Sequence, residues 1–150
     1  MKNIFETSTS EELINRINKL TPPSQPLWGS MSVSKMLAHC NVTYELVYEN
    51  IHPKPKGLMK FILKTFVKNN VVSDIPFKRN QRTAPVFLIA NERDFITERT
   101  RLIDHINKTQ QFGEEYFTNR ESHSFGVLNR NEWNNMFYKH LDHHLTQFGV

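Results

Sequence analysis

The last twenty residues, NEWNNMFYKHLDHHLTQFGV (131–150), decide the fold. A helix turns about 100° per residue, so this spacing gathers aromatic and histidine side chains on one seam and polar side chains on the opposite face. Two histidines therefore stand where an amphipathic helix usually carries leucines. The seam consists of Trp133, Phe137, His140, His144 and Phe148, and the opposite face of Asn135, Tyr138, Lys139, Asp142 and Thr146.

The histidine pair His140 and His144 has the spacing of a metal-binding pair. A buried imidazole without hydrogen-bond partners costs roughly 1–3 kcal/mol, and a metal ion would satisfy one nitrogen of each ring. Residues four apart on a helix lie about 5–6 Å apart at Cβ and can share one ion. The alternative is that both rings bind carbonyl groups in an ordinary polar layer. Two ligands hold a metal weakly, so a metal site needs a third ligand from elsewhere.

Length and composition predict one globular domain. The chain has 150 residues, with eleven phenylalanines and two tryptophans to fill a core. Its one cysteine, Cys40, excludes an internal disulfide, and the amino-terminal MKNIFETSTS lacks the apolar run of a signal peptide. No stretch has the uninterrupted apolar length of a membrane span. These features predict a cytoplasmic protein.

The positive charge is concentrated in the middle of the chain. Residues 54–82 contain eight lysines and arginines against one acidic residue, Asp74, which gives this segment a balance of +7 in a chain of net charge +4. The remainder is therefore acidic, at −3, and a surface that is basic throughout is excluded. No nucleic-acid reading motif accompanies the basic segment, so we expect no nucleic-acid partner.

The apolar periodicity predicts four main helices and one short accessory helix. The first begins with the capping pattern at Ser8 and ends before Pro22, and the second begins at Ser30 or Ser32 and ends near His52. A short basic helix over residues 57–70 has apolar residues on one side and Lys60, Lys64 and Lys68 on another. Residues 71–90 are mostly loop, residues 92–108 are helical, and Asn129 with Glu132 starts the last helix.

This element order predicts an all-α four-helix bundle. The long link over residues 53–91 departs from simple up-and-down connectivity and leaves room for a crossover between the second and third main helices. Bundles commonly build metal sites from side chains that point inward from facing helices.

Three other histidines are candidates near such a site. His39 lies in the middle of the second helix, roughly 120° from the centre of its apolar stripe, so it is either a ligand or a solvated or capping histidine. His123 lies in the loop before the last helix and could fold back over a site. His143 lies at the edge of the seam, where it could pair with an aspartate or the backbone.

Several motifs along the chain resemble the DinB/YfiT-like superfamily, and specifically a branch of unknown function. They are WG (28–29), MSVSKMLAHC (31–40), HSFGVL (123–128), EW (132–133) and KHLDHHLTQFG (139–149). The resemblance covers essentially the whole chain, and the carboxyl-terminal motif is the most specific part. It implies an up-down-down-up bundle whose long middle crossover matches the link over residues 53–91.

The resemblance also implies a divalent metal held by three histidines. Carried over position by position, the ligands are His39, His140 and His144. His143 and Gln147 match positions beside the ligands, and with His123 they are candidates for supporting the site without binding the ion. Zinc, nickel or iron would suit three imidazoles. A single DinB-like domain then spans residues 1–150.

Three classes of function are open on this sequence. Characterised members of the superfamily imply a metal-dependent enzyme, either a hydrolase or an S-transferase that uses a low-molecular-weight thiol, acting on a small molecule. A non-catalytic bundle with a structural metal is the second class. The third is a binding module whose basic segment contacts anionic lipid or an acidic partner. A homodimer is compatible with each, and no catalytic side chain is assigned.

Overall fold

The protein is described here by a computed structural model that covers residues 1–150. It is an all-α bundle, as predicted, with one very short hairpin. The main helices are α1 (Thr7–Asn18), α2 (Val33–Tyr48), α5 (Phe95–Phe117) and α6 (Arg130–Gln147). Between them lie α3 (Gly57–Ile62), a π-helical turn (Leu63–Val67), α4 (Lys68–Val72), a 3-10 turn (Pro85–Phe87) and the antiparallel strands β1 (Glu121–Ser122) and β2 (Gly126–Val127).

Helices α2 and α5 run parallel to each other. Asn41 near the middle of α2 donates to the side chain of Glu98 at the start of α5, and Tyr48 at the end of α2 bonds Thr109 further along α5. The paired residue numbers therefore increase together. A parallel pair needs a long connection, which residues 49–94 supply.

Helix α6 runs antiparallel to α2 and parallel to α1. Where α2 contacts α6, later residues of α2 meet earlier residues of α6, so the two helices are antiparallel. Where the amino-terminal segment and α1 contact α6, later residues meet later residues, so these run in parallel. The order is therefore up-down-down-up, as predicted. The pairs are His39–His144 and Tyr44–Phe137 for α2 with α6, and Ile4–Asn134 and Arg16–Asp142 for the amino-terminal segment and α1 with α6.

The core lies between these four helices and is rich in aromatic rings. Phe137 stacks on Tyr44 and on Trp133, and Phe117 packs against both Trp133 and Phe137 with ring centroids 5.4–5.5 Å apart. The whole apolar core contains 22 buried residues. Aromatic stacking between α2, α5 and α6 therefore forms its centre.

Helix α2 is buried on nearly every side, because α5, α6 and the 3-10 turn all pack on it. Every residue from 36 to 45 is buried. This explains how His39 can be 5% exposed although it lies away from the centre of the apolar stripe.

The polar face assigned to α6 is wrong at three positions. Asn135, Tyr138 and Lys139 are buried, because α4 and the segment that follows it cover two of them. Asn135 Nδ2 donates to the Val72 carbonyl. The Lys139 ammonium donates to three backbone carbonyls, those of Asn70, Ser73 and Ile75.

Helix boundaries differ from the prediction mainly in α1 and α5. Helix α1 begins at Thr7 with Glu6 as its N-cap and no side-chain cap, so the predicted cap Ser8 lies inside the helix. The Ser10 hydroxyl donates backward to the Ile4 and Glu6 carbonyls. Helix α5 continues to Phe117, past a break at Gly113, whose φ of 68° is left-handed. The capping box that starts α6 is confirmed. None of the helices has both the length and the apolar character needed to cross a membrane.

Candidate metal centre

Three histidines from two antiparallel helices meet at one point. His39 on α2 faces His140 and His144 on α6, and the three ring centroids lie 4.6–4.9 Å from one another. One ring nitrogen of each lies within 4.8 Å of those of the other two. The structure thus brings together the three positions predicted as ligands.

The outer nitrogens of two rings are held by hydrogen bonds. His39 Nδ1 lies 2.9 Å from the carbonyl oxygen of Phe87, which can only accept, so Nδ1 carries the proton. His144 Nδ1 lies 2.8 Å from Gln147 Oε1 and donates to it. In the neutral imidazole the proton on Nδ1 leaves the Nε2 lone pair free. Both rings are therefore in the tautomer that can bind a metal through Nε2.

The third ring, His140, has a partner at each nitrogen, but the hydroxyl at Nδ1 can donate or accept, so these contacts do not fix its tautomer. Its Nδ1 lies 2.8 Å from the Thr43 hydroxyl, and its Nε2 lies 2.9 Å from Nε2 of His39. Two nitrogens bound to one ion at about 2.0–2.1 Å lie about 2.9 Å apart at a right angle and about 3.3 Å apart at the tetrahedral angle. The separation of these two atoms therefore fits a pair of ligands to one ion.

The amide of Gln147 connects His144 to the loop between α1 and α2. Its Nε2 donates to the Trp28 carbonyl at 2.7 Å, which leaves Oε1 turned toward His144. The next residue, Gly29, has a left-handed φ of +80°, and a Cβ there would lie 2.9 Å from Gln147 Nε2. The backbone conformation therefore favours glycine at this position, and a larger residue would also have to displace the Gln147 amide.

Burial keeps these imidazoles neutral. Desolvation lowers the pKa of His144 to about 3. Desolvation is also the main reason that the pKa of His140 lies well below its usual value, and the charges of the neighbouring histidines lower it further. Burial also lowers the pKa of His39, against the raising effect of the Phe87 carbonyl. Because only a neutral imidazole has a lone pair for a metal, the three rings are competent ligands at neutral pH.

Aromatic rings and one arginine surround the histidines. Phe87 packs on His39 and His140, and Phe77 packs against His140, with ring centroids 5.2–6.5 Å apart. The exposed Arg79 guanidinium lies 4.3 Å above the ring of Trp28. These rings limit the access of water, and Arg79 places a positive charge at the edge of the site.

The supporting candidates fall in three different places. Gln147 contacts a proposed ligand directly. His143 packs its ring on His144 and Trp28, with centroids 5.1 and 5.8 Å away, and makes no hydrogen bond through its ring. His123 is not brought to the cluster, because its ring nitrogens contact the Ser124 hydroxyl and a backbone carbonyl at 2.9 and 3.3 Å.

Three contacts of the site have weak or no sequence signatures. Thr43 lies one helical turn after His39, a spacing that could have indicated it. The Phe87 carbonyl and the Phe77 ring come from the crossover, where nothing in the sequence shows which atoms approach α2 and α6. Asp142 and Cys40, which lie close in sequence to the histidines, do not belong to the site. The Asp142 carboxylate accepts a hydrogen bond from Arg16, and Cys40 is buried with its sulfur 3.7 Å from that of Met36.

Comparison with known proteins gives one match. A family model described as "Protein of unknown function (DUF1569)" matches residues 3–149, which is nearly the whole chain. No curated protein and no solved structure matches the chain significantly.

Proposed function

We propose a function from the side chains of the histidine cluster, because the chain belongs to the DUF1569 family, whose function is unknown. His39, His140 and His144 hold a divalent metal ion, zinc, nickel or iron, and the protein is a metal-dependent enzyme that acts on a small molecule. The observation that carries the proposal is that the outer nitrogen of each ring has a partner while the inner nitrogens converge.

A relationship to the DinB/YfiT-like superfamily is part of this proposal. Two observations support it: the up-down-down-up order of the bundle and the origin of the histidines, one on α2 and two on α6. Both are what the resemblance of the sequence motifs implies for fold and site.

Such an ion would supply Lewis-acid chemistry and would lower the pKa of a water or thiol bound to it. The cluster contains no carboxylate, so three neutral imidazoles leave the ion its full charge. Groups of the protein around the histidines have three supporting roles. Gln147, Thr43 and the Phe87 carbonyl orient the rings, the aromatic side chains limit water, and Arg79 attracts an anionic substrate toward the rim.

Hydrolysis and thiol-dependent S-transfer are the two reactions that fit this site. Cys40, the one cysteine, is buried in the core, and burial raises the pKa of its thiol. S-transfer would therefore need an external low-molecular-weight thiol as the nucleophile. Hydrolysis would need only water, and the two are distinguished by assaying turnover with and without added thiol.

Metal content is the first test. Elemental mass spectrometry of the untagged protein should find near-stoichiometric metal, and His39→Ala, His140→Ala and His144→Ala should each lose it. His123→Ala is the matched control and should retain the metal, because His123 lies outside the cluster. Folded wild-type protein that holds no metal, even after reconstitution, would overturn the proposal.

A structural metal is the second candidate, favoured by the burial of His39 and His144. The thermal stability of the metal-free protein distinguishes a structural metal from a catalytic one. A structural ion predicts a large fall in melting temperature after chelation and no effect of metal on any reaction. The catalytic proposal predicts a bundle that stays folded without metal, because 22 buried apolar residues already form its core.

A further inference from the structure

The short helix α3 and the π-helical turn after it project apolar side chains away from the protein. Leu58 is 73% exposed, Phe61 61% and Phe66 72%, with Met59 and Ile62 also exposed. No residue of α3 is buried. Exposed apolar clusters of this kind mark interaction sites more often than isolated exposed residues do.

The apolar side of helix α3 faces away from the protein, the reverse of the usual arrangement. At about 100° per residue, the four apolar residues of α3 cover an arc of roughly 160°, and Lys60 lies opposite its centre. The lysine side faces the protein: Lys60 pairs with Glu121 at 3.3 Å, and a Cβ on Gly126 would lie 3.7 Å from Cε of Lys64. A helix that served only the bundle would direct its apolar side inward.

The charge around this apolar arc is positive. Lys60 and Lys68 have carboxylate partners, Glu121 and Glu132. Two further lysines, Lys54 and Lys56, lie just before the helix, are exposed and form no ion pair. The surface therefore combines uncompensated positive charge with exposed aromatic and aliphatic groups.

We propose that residues 54–68, here called the amphipathic segment, dock the protein on the surface of an anionic lipid bilayer. Leu58, Phe61 and Phe66 enter the boundary between headgroups and acyl chains, and the free lysines contact lipid phosphates. Interfacial helices have this composition, with Phe and Leu on one face and lysines on the other. The proposal is independent of the metal centre.

Charge favours a bilayer over a second copy of the chain. A symmetric self-contact would place this surface against itself and bring lysine toward lysine without compensating carboxylates. An anionic bilayer offers an apolar layer and negative phosphates together. Each lysine near such a surface strengthens binding about fivefold, so the two free lysines contribute substantially.

Vesicle co-sedimentation of the full-length protein tests the proposal. The probes are vesicles of phosphatidylcholine alone and of phosphatidylcholine with about one-quarter phosphatidylglycerol. We expect binding to the anionic vesicles only. The Phe61→Ser, Phe66→Ser double variant should bind about tenfold more weakly or worse, and Lys54→Gln and Lys56→Gln should each weaken binding about fivefold.

Two matched controls should bind like the wild type. Ile96→Ser removes an exposed apolar residue from α5, and Lys108→Gln removes an exposed lysine from the same helix. All substituted side chains are exposed, so the variants should keep the wild-type circular dichroism. Absence of binding to anionic vesicles, equal binding to neutral ones, or variants that bind unchanged would overturn the proposal. So would a dimer in sedimentation velocity that the phenylalanine variant dissociates, because a second copy would then occupy the surface.

Discussion

The Gln147 side chain donates to the Trp28 carbonyl oxygen at 2.7 Å, and this bond turns its other amide atom toward His144. The loop between α1 and α2 therefore orients a proposed metal ligand on α6 through a single amide. Removing that amide tests how far the ring depends on it.

Gln147→Leu should lower the affinity for metal about tenfold or more. The substitution removes the acceptor of the His144 Nδ1 proton, so the ring can rotate and change tautomer, and loss of such a partner typically costs 10–100-fold. Competition with a chromophoric chelator measures the affinity. Gln111→Leu, an exposed glutamine on α5, is the matched control. Equal affinities for both variants would show that Gln147 does not orient the ligand.

Gly29→Ala should destabilise the protein more than Gly57→Ala. Both glycines have positive φ, +80° and +51°, where an alanine costs about 1 kcal/mol. At Gly29 the new methyl group also meets Gln147 Nε2 at 2.9 Å, while nothing lies within 4 Å at Gly57. We expect losses of about 2 and 1 kcal/mol in the free energy of unfolding in urea. Equal losses would indicate that the Gln147 amide moves away without cost.

Arg101→Met should lower the free energy of unfolding by about 2–3 kcal/mol. Its guanidinium bonds Glu45 at 2.7 Å and Glu98 at 2.9 Å, and both carboxylates are buried. Without the arginine, Glu98 keeps only the amide of Asn41 as a side-chain partner and Glu45 keeps only His52. Urea unfolding measures the loss.

Arg130→Met is the control for the arginine substitution. It breaks the exposed ion pair with Glu114, which should be worth less than about 1 kcal/mol. If Arg101→Met were no more harmful than this variant, the buried carboxylates would have to find other partners or water.

The metal-free protein should lose stability as the pH falls from about 7 to 5. Burial lowers the pKa of His144 to about 3 in the folded state, whereas an unfolded histidine titrates near 6.5. Below about pH 6.5 the unfolded state therefore binds a proton that the folded state does not. His144 alone should contribute a loss of about 2 kcal/mol at pH 5.

His39 and His140 shift in the same direction and add to this pH dependence. Urea unfolding of chelator-treated protein at several pH values measures the slope, and His144→Asn should flatten it. A free energy of unfolding that stays constant between pH 7 and 5 would mean that these rings titrate normally, and hence that water reaches them.

Much of the fold could be read from local pattern. The capping box at Asn129, the aromatic and histidine seam of α6 and the apolar stripe of α2 each depend on residues close in sequence, and each lies where it was predicted. The bundle follows, because amphipathic helices of this length can bury their apolar sides only against one another.

The faces of helices were less predictable, because what covers a face is a tertiary matter. Lys139 looked solvent-facing by periodicity, yet three carbonyls at the end of α4 surround its ammonium. Phe61 and Phe66 form an apolar side that suggests a core, yet no element packs over them. Periodicity predicts which residues share a face of a helix, but it does not predict whether that face contacts solvent or another part of the protein.

The sequence by itself determined the helices, their order and the pair of histidines four apart on α6, because these depend on the rotation per residue within one helix. The periodicity of α2 left the role of His39 open, and the resemblance alone named it as a ligand. The tertiary structure decided that it meets that pair, since α2 is buried on nearly all sides and its apolar stripe does not reveal which flank faces α6. It also decided the tautomers of the His39 and His144 rings and the contacts of all three rings. The Phe87 carbonyl, the Thr43 hydroxyl and the Gln147 amide reach them across distances in sequence that no local pattern encodes.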